Sequence, residues 1–455
     1  MNNSIFKPFT LLIFPVLLVM LNLTHTLQAQ PLGEANWENV PQILDAIREP
    51  VFPDKDYIIT DFGAEQSDAL PAIREAIRTA NEEGGGRVVI PEGEWLSKGP
   101  VHLKSNVNLH ISENAVLRFS ENPEDYLPQV LTRWEGTEAF NFSPLIYAYH
   151  VNNVAITGKG TIDGNAENGF GTWRDKQKPA QNRLREMGGN GTPVHERVFG
   201  LDDYLRPSMI QFFGSSQILI EDVTIHDSPM WVNHIIFSSH ITVRGITVES
   251  YRLNNDGVAI DSSTLVLIEN NSFSTGDDSI VIKSGRDQDA WKIGRPTEHV
   301  VVRNNYMEGH NALAIGSEMS GGARNIFMED NQLGKVRSAI YFKSNLDRGG
   351  FIRNVRVRNI EVEEAEILLR FSTDYHSHRG GNYPAVYDDF VIENVTAEKA
   401  NLAVEATGVA QEPIRNVWVK NLVVKEGEKD QEINHVENFN FENVKVNGKT
   451  IEVKL

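Results

Sequence analysis

Val266-Leu267-Ile268-Glu269-Asn270 is one copy of a short phrase that recurs eight times along this chain. Each copy has apolar, mostly β-branched residues at alternate positions, which is typical of a strand, and it closes on Asn, Asp or Gly. Such a closing residue indicates a turn that requires a left-handed backbone φ. The phrase therefore predicts a stack of equivalent strands. The other copies are 218–222, 241–245, 300–304, 326–330, 355–359, 390–394 and 417–421.

The spacing of the copies predicts how the strands are connected. From Asp222 to Asn421, successive closing residues are separated by 23, 25, 34, 26, 29, 35 and 27 residues. Such steps, with loops of unequal length and a second set of apolar segments between the copies, are typical of a solenoid. A leucine-rich repeat would show its leucine consensus, and a propeller would need about 40 residues per blade. We therefore predict an all-β fold, a single-stranded parallel β-helix with two or three strands per turn.

The chain divides into three predicted parts. Residues 1–29 contain a positive charge, an apolar run and a plausible cleavage point at Ala29, which is the pattern of a secretory signal peptide. We therefore expect an exported protein, periplasmic or extracellular. Residues 30–56 form an N-terminal extension, and residues 57–455 form the β-helix. We expect the segment 31–80 to cap the N-terminal end of the solenoid, which would otherwise expose unpaired strands.

A short helix is predicted within that cap. Apolar residues recur at helical spacing between Asp68 and Asn81, so that they would share one face. Ser67 or Asp68 is a suitable N-cap, and a run of three glycines from Gly84 follows the end of the pattern. The sequence therefore predicts one capping helix before the repeats.

Composition narrows the possible partners. The 455 residues carry a formal net charge of −19 and include no cysteine. This charge argues against a nucleic-acid partner, and without a thiol neither a disulfide nor a lipid anchor on cysteine can form. We expect a monomer with no cofactor and no membrane span in the mature chain.

A polyanionic sugar remains a possible partner, because it needs positive charge only inside a cleft. The glycine-rich segment 166–206 is long, polar and locally basic, so we predict that it forms a wall of such a cleft. Its basic residues are Arg174, Lys176, Lys178, Arg183, Arg185, Arg197 and Arg206.

Ionisable residues recur at one point of successive repeats, in Asn255-Asp256-Gly257, Gly276-Asp277-Asp278, Gly309-His310 and Lys343. An isolated Asp-Gly would indicate only a turn. Asp256, however, lies 21 residues before Asp277, which is close to one turn, so we expect neighbours on adjacent coils. Adjacent Asp277 and Asp278 can both reach a cleft only at a strand end or bend.

Crowded carboxylates repel one another, and at least one pKa must rise, which suits a neutral acid beside an ionised base. His310 would share protons with these acids, and Lys343 would bind a substrate carboxylate. The pattern therefore predicts acid/base cleavage of a glycosidic bond.

These four motifs together resemble the signature of glycoside hydrolase family 28, the polygalacturonases. Asp61-Phe62-Gly63-Ala64 and the stretch 84–91 resemble that family too, and the likeness extends over about residues 57–425. The resemblance implies a right-handed parallel β-helix and inverting hydrolysis of α-linked galacturonate in pectin, an acidic plant polysaccharide. It also implies that Asp277 is the general acid and that Asp256 and Asp278 together activate water.

The sequence departs from the family pattern near its lysine. Family members carry an arginine two residues before that lysine, and this chain has Tyr341. Asn311 and Ser279 replace the usual glycine and cysteine of two other motifs. Because a bidentate partner for a carboxylate is lost, Arg348, Arg370 or Arg286 could supply the charge from another loop. The predicted substrate-binding residues are Lys343, Asn255, Tyr341, Arg348, Lys283, Arg286 and Tyr375.

The mode of attack is predicted from two segments. The stretch 315–322 resembles the exo-acting, bacterial branch of the family, and a wall at 166–206 would close one end of the groove. Because Tyr341 replaces the family arginine, two alternative functions remain: a rhamnogalacturonan hydrolase, or a galacturonidase that acts on branched pectin side chains. A polysaccharide lyase would need a calcium site, and a glycan-binding β-helix without catalysis would leave the aspartate spacing unexplained.

Overall fold

The protein coils into a right-handed parallel β-helix in which most turns contribute one strand to each of three parallel sheets. The structure is a computed structural model, and it describes residues 35–376 and 378–454. The predicted signal peptide, residues 1–29, lies outside the described residues. The predicted β-helix is thus confirmed, with three strands in a typical turn.

Strands of the first sheet contain the recurring phrase. Where the next strand is separate, it joins the second sheet after two residues in most turns, and strands of the third sheet lead to the functional site. Strands in the first sheet only are Asp56–Ile58, Gly86–Ile90, Val107–Ile111, Asn152–Gly158, Ser216–Glu221, Ser239–Arg244, Thr264–Glu269, Thr297–Arg303 and Val436–Glu442. Those in the second only are Gly93–Ser97, Ala115–Phe119, Thr161–Asp163, Thr224–His226, Thr247–Ser250 and Lys445–Val446. Those in the third only are Val101–His102, Ile146–Tyr149, Ile210–Phe213, Asn233–Ile236 and Val258–Asp261.

Six strands bend from one sheet into the next. Ser272–Lys283 and Tyr306–Gly316 join the second and third sheets, whereas Ala323–Lys343, Phe351–Ser372, Val386–Thr407 and Ile414–Asn434 pass through all three. Val130–Trp134 and Thr137–Asn141 form an antiparallel hairpin outside the coil, and Lys449–Thr450 pairs antiparallel with the last strand of the second sheet. The α-helices are Asn39–Ala46, Leu70–Glu82, Lys178–Gly189 and Asp287–Ile293, and the 3-10 helices are Ile59–Phe62, Pro123–Tyr126, Phe170–Trp173, Val194–Glu196 and Leu201–Asp203.

The turn after each phrase has the predicted conformation. The closing residues of all eight phrases have φ between 51° and 67°. Several asparagines in these turns also form a ladder along the coil, in which Asn394 Nδ2 donates to Asn359 Oδ1 and Asn421 Nδ2 donates to Asn394 Oδ1, both at 3.1 Å. The repeat is therefore maintained by backbone conformation and by side-chain hydrogen bonds between turns.

The core lies inside the coil, where stacked residues from the three sheets are fully buried. Val258, Ile280, Leu313, Ile340 and Leu369, for example, occupy equivalent positions in the third sheet and each is 0% exposed. Burial of an aliphatic side chain of this size contributes about 1.5–3 kcal/mol relative to exposure. The next outward positions of the same strands are thereby fixed toward the functional site.

The predicted capping helix spans Leu70–Glu82, and its buried face is the one expected from the pattern. The N-cap is Ala69 and not the predicted Ser67 or Asp68, but Asp68 Oδ1 accepts a hydrogen bond from the Leu70 amide at 3.2 Å. The helix packs against the first strands of the coil, Asp56–Ile58 and Gly86–Ile90. It therefore covers apolar side chains that the end of the solenoid would otherwise expose.

Residues 35–54 were expected to belong to the same cap, but they lie along the outside of the first sheet. The Trp37 ring packs 5.6 Å from that of Phe327, and Glu49 pairs with Arg244 at 2.6 Å. The reason is that Trp37 finds an apolar contact on the outer surface of a later coil, far from the N-terminal end.

The segment 166–206 is more ordered than the loop we predicted, because it contains the helix Lys178–Gly189 and short 3-10 helices. Few apolar residues mark that helix, and only Ala180 and Leu184 are buried hydrophobic side chains in it. Among the described residues, no helix is long and apolar enough to span a membrane.

Candidate active site

The register of the third sheet brings the predicted acids together. Val258 pairs with Ile280, and Asp256 and Asp278 each precede these residues by two positions. The amide of Gly257 donates to the carbonyl of Asp278 at 2.9 Å, which continues the ladder. Asp256 is therefore equivalent to Asp278, one residue beyond the Asp277 expected from spacing alone.

Both adjacent aspartates face the site because the strand bends where it passes from the second sheet to the third. The pairing shifts between Thr275 and Asp278, so that the strict alternation of side chains is interrupted there. The Asp278 side chain is 1% exposed, and that of Asp277 is 22% exposed. The bend required by the sequence is present, and Asp277 is the more accessible acid.

Asp278 is held by three hydrogen bonds. Lys343 Nζ donates to its two oxygens at 2.8 and 2.7 Å, and Asn311 Nδ2 donates at 2.8 Å. Burial alone would lower the pKa of Lys343, but the carboxylate of Asp278 raises this pKa well above its usual value. Lys343 therefore contacts the carboxylates directly, whereas the sequence suggested a contact with substrate only.

Asp256 is held by the other buried lysine. Lys283 Nζ lies 3.2 Å from Asp256 Oδ2 and 3.1 Å from Glu318 Oε2. Burial would lower the pKa of Lys283, but Glu318 and Asp256 together raise it. Lys283 thus carries its charge in the interior and links the carboxylates to Glu318.

Asp277 is paired with neither lysine, and His310 lies directly above it on the next coil. His310 Nδ1 is 3.8 Å from Asp277 Oδ1, and His310 Nε2 accepts from Arg337 Nη1 at 3.0 Å. Because arginine only donates, a neutral His310 must carry its proton on Nδ1, toward Asp277. The arrangement suits exchange of a proton between the two side chains.

The pKa values of Asp256 and Asp277 are both raised. Burial is the larger cause for each, and the neighbouring carboxylates add to it. Lys283 opposes the effect at Asp256, and Lys343 and His310 oppose it at Asp277. The site therefore retains a proton beyond the usual range of a carboxyl group, and position rather than pKa distinguishes the two acids.

The three aspartates face a cavity of about 450 Å³, which we call the central cavity. Its lining includes more positive than negative side chains, despite the negative charge of the whole chain. The positive ones are Arg174, Lys178, Arg185, Lys283, Arg286, Lys343, Arg348 and Arg379, and the negative ones are Glu135, Asp256, Asp277, Asp278, Glu318 and Asp347. A local excess of positive charge favours an anionic ligand.

At one side of the central cavity, Glu318 forms a network of buried ion pairs. Its Oε1 lies 2.5 Å from Arg286 and 3.6 Å from Arg348, and its Oε2 accepts from Lys283. Burial would raise the pKa of Glu318, but these three cations hold it well below its usual value. Arg286 and Arg348, predicted as substrate-binding, therefore line the cavity while already bound to carboxylates.

The basic segment 166–206 forms part of the cavity wall, as predicted. Arg174, Lys178 and Arg185 line the cavity, and Arg185 pairs with Glu135 at 2.7 Å. The other four basic residues of the segment contact groups elsewhere: Lys176 the ring of Tyr204, Arg183 Asp203, Arg197 Asp289, and Arg206 the Asn254 side chain.

Two of the predicted binding residues have other positions. Asn255 is fully buried, and its amide donates to the carbonyls of Ser228 and Met230, so it braces the turn before Asp256 instead of reaching substrate. Tyr341 is 3% exposed and does not line the central cavity. Tyr375 does line it, and burial raises its pKa.

Several lining residues were not predicted from the sequence. Glu318 lies within the stretch 315–322 that we had singled out, but nothing local marked it as an anchor for three cations. Glu135, at the tip of the antiparallel hairpin, and His376 and Arg379 come from loops outside the repeats. The only signals in the sequence for a role of these residues in the cavity lining are their charge and their position in long insertions between repeats.

A right-handed parallel β-helix that presents three carboxylates in a basic cavity defines a class of polysaccharide-active enzyme. The sequence profile described as glycosyl hydrolases family 28 matches residues 129–447. The chain belongs to this family and is a glycoside hydrolase.

Individual relatives are similar over most of the chain. It is 29% identical to a probable polygalacturonase from Vitis vinifera over 75% of this chain and 67% of that protein. It is 27% identical to the exo-poly-alpha-D-galacturonosidase of Dickeya chrysanthemi over 79% of this chain and 65% of that protein, so it spans about two thirds of both relatives. The crystal structure of an exopolygalacturonase from Thermotoga maritima superposes with a TM-score of 0.84 and 38% identity, covering 90% of this chain and 96% of that one.

Proposed function

We propose that the protein hydrolyses α-linked galacturonic acid at the end of pectic chains, with inversion at the anomeric carbon. The single observation that carries the proposal is an acid cluster, Asp256, Asp277 and Asp278, at the wall of a cavity with excess positive charge. Relatives named as polygalacturonases, and two named as exo-acting, support the same substrate class. A uronic acid suits this cavity because its carboxylate needs cationic partners.

In this mechanism Asp277 protonates the glycosidic oxygen as the bond breaks. It is the most exposed of the three acids, it is paired with no lysine, and burial raises its pKa. His310 would return a proton to Asp277 between turnovers.

Asp256 and Asp278 together orient the attacking water. Both carboxylates occupy equivalent positions on adjacent coils, and Lys283 and Lys343 stabilise their charge. The same two ammonium groups would bind the carboxylate of the bound sugar, since each lines the cavity.

Inversion follows from the roles of these acids. A retaining enzyme needs a free carboxylate as nucleophile about 5–5.5 Å from the acid, whereas an inverting one needs about 6.5–9.5 Å so that water fits. Asp278 receives three hydrogen bonds, which reduces its capacity for nucleophilic attack. We therefore expect a single displacement through water.

The exo mode is supported by the closed end of the central cavity. The helix Lys178–Gly189 and the hairpin that carries Glu135 contribute side chains to its lining, and Glu318 is buried there among Lys283, Arg286 and Arg348. We therefore expect the central cavity, of about 450 Å³, to take a chain end, which would make the Glu318 side its closed end.

Two measurements on polygalacturonate test this proposal. Proton NMR of the first product should show the β-anomer, and chromatography early in digestion should show monomer. An initial α-anomer would contradict inversion, and an early ladder of oligomers would contradict the exo mode alone.

A second candidate function is cleavage in rhamnogalacturonan or in branched pectin side chains, and the observation that favours it is Tyr341 at the place of the family arginine. Comparison of rates on polygalacturonate and on rhamnogalacturonan fragments separates the two candidates. A lyase is disfavoured because it would need a calcium ion bound by carboxylate oxygens. Lysines already contact the carboxylate oxygens of Asp256 and Asp278.

Export and action as a monomer remain part of the proposal. Residues 1–29 have the pattern of a signal peptide. N-terminal sequencing of the protein from the producing cell and light scattering test these two points.

A further inference from the structure

A second, smaller cavity adjoins the central one. Its volume is about 190 Å³, and it is lined by His310, Asn311, Arg337, Tyr341, Arg370, Ser372, Asp374, Tyr375 and His376. Tyr375 and His376 line both cavities, so these two side chains form the boundary between them. Asp277 lines the central cavity and His310 the second cavity, and their side chains approach to 3.8 Å.

This position determines which sugar would occupy the second cavity. A general acid must contact the oxygen of the bond that breaks, so the leaving sugar lies next to Asp277. The central cavity contains the two lysines that contact Asp256 and Asp278 and the ion pairs around Glu318, and in the proposed function it would hold the terminal sugar. The leaving sugar would then lie on the His310 side, in the second cavity.

Arg370 presents a free guanidinium edge in that cavity. It pairs in the sheet with Tyr341, one coil earlier, and its guanidinium carbon lies 4.6 Å from the centre of the Tyr341 ring. Its Nε donates to Glu405 at 3.0 Å, and among the described residues its two terminal nitrogens donate no hydrogen bond. A guanidinium fixed on one side by a carboxylate and on one face by an aromatic ring is prearranged for bidentate binding.

Arg286 and Arg348, the other two arginines that the sequence left open, are already engaged with carboxylates. Arg286 contacts Glu318 and Glu135, and Arg348 contacts Asp287 at 2.7 Å, all within buried ion pairs. Arg337 lines the second cavity but donates to His310. Of the three arginines that the sequence left open, Arg370 is the one that lines the second cavity, and it pairs there with a single carboxylate, Glu405.

We propose that Arg370 binds the carboxylate of the leaving sugar in the second cavity, and that it supplies from the next coil the charge absent at Tyr341. This inference rests on the proposed hydrolysis of galacturonides. Tyr341 then acts as the aromatic support for Arg370, which accounts for its burial beside the cavity. The specificity for an acidic leaving sugar would depend on a residue outside the family motif.

The test compares digalacturonate with the same disaccharide methyl-esterified at the reducing-end carboxyl. We expect the wild-type protein to prefer the free acid by about 10- to 100-fold in kcat/KM, as for a lost charge-assisted pair. Arg370→Gln should remove most of this preference while changing kcat/KM for the ester by less than about twofold. Arg370→Lys should retain part of the preference, because it keeps a point charge.

Two controls make the result decisive. Arg353→Gln removes an arginine that lies on the Phe351 ring outside both cavities, and it should leave both rates unchanged. A ratio of two substrates is insensitive to a loss of folded protein, which would lower both rates equally. An unchanged preference in Arg370→Gln, or an equal loss on both substrates, overturns the inference while wild-type hydrolysis still supports the proposed function. Failure of the wild-type protein to cleave either disaccharide overturns the proposed function and this inference with it.

Discussion

The two ends of the central cavity differ in the ratio of buried cations to buried carboxylates. At the closed end, one carboxylate, Glu318, contacts three cations. At the other end, three carboxylates share two lysines, and Asp277 has neither. Lys283 belongs to both ends, because it contacts Glu318 and Asp256. The excess of cations around Glu318 keeps its carboxylate ionised, whereas the deficit of positive charge at the three aspartates leaves a proton to be donated.

The sharpest test of this contrast removes the acid that has no lysine. Asp277→Asn should lower kcat on the best galacturonide by about 10²- to 10⁴-fold, because an amide cannot donate the proton that the leaving oxygen needs. Steady-state rates on digalacturonate measure the effect. Asp330→Asn, in a turn outside the cavity, is the matched control and should keep wild-type turnover. Near-normal turnover in Asp277→Asn would show that another group is the acid.

Removing the carboxylate of Glu318 at the closed end should lower the free energy of unfolding. Glu318→Gln leaves Lys283, Arg286 and Arg348 without their shared carboxylate, and loss of a buried partner typically costs about 3–5 kcal/mol. Urea unfolding of the two proteins measures the difference in free energy.

The control for this change is Glu221→Gln, which breaks a half-exposed pair with Arg244 and should cost less than about 1 kcal/mol. Equal effects of the two substitutions would mean that the closed end is not held by its ion pairs.

The cavity wall should contribute to binding more than to the chemical step. Arg174 and Lys178 line the cavity from the basic segment, so Arg174→Ala with Lys178→Ala should raise KM about tenfold with kcat nearly unchanged. Partial exposure of both side chains keeps the expected effect this small. Lys176→Ala with Arg183→Ala removes the same charge from the same segment, away from the cavity, and should leave KM unchanged. A similar KM in both double variants would show that overall charge, not the wall, attracts the substrate.

The same contrast explains how much of the site could be predicted from the sequence. The repeat phrases and their left-handed closing residues specify a turn of the coil, so spacing could predict that acids on adjacent coils lie close together. Lys343 is not aligned with them: it pairs with Gly316 at the end of its strand and reaches Asp278 through its side chain. The step between aligned residues falls from 25 for Ser250 and Thr275 to 22 for Val258 and Ile280, so a spacing of 21 missed the register by one residue and Asp256 is aligned with Asp278. The spacing of regular repeats predicts the register of neighbouring strands, but this prediction fails where a loop or bulge changes the number of residues per turn.

The closed end could not be predicted in the same way. Glu318 and Glu135 meet through Arg286, yet they come from a loop after the third sheet and from a hairpin far away in sequence. The helix Lys178–Gly189 has too few apolar residues for a periodic pattern, and residues 35–54 find their contacts on a coil that local sequence does not indicate. Tertiary contacts between insertions decide these features, and no repeat encodes them.

The smallest predicted effect is a change in how stability depends on pH. The pKa of Asp277 is raised above the ordinary value of 3.8, chiefly by burial and then by Asp278. The folded protein therefore holds this proton more tightly than the unfolded chain does. The stabilisation is complete at pH below the ordinary value, and it is lost as pH rises through the higher pKa of the folded state. Asp277→Asn cannot lose a proton, so its free energy of unfolding should fall less steeply over that window than that of the wild-type protein. Urea unfolding at a series of pH values measures the two slopes, with Asp256 titrating in both proteins. Equal slopes would mean that the pKa of Asp277 is not raised in the folded protein, which would contradict the effect of burial on this acid.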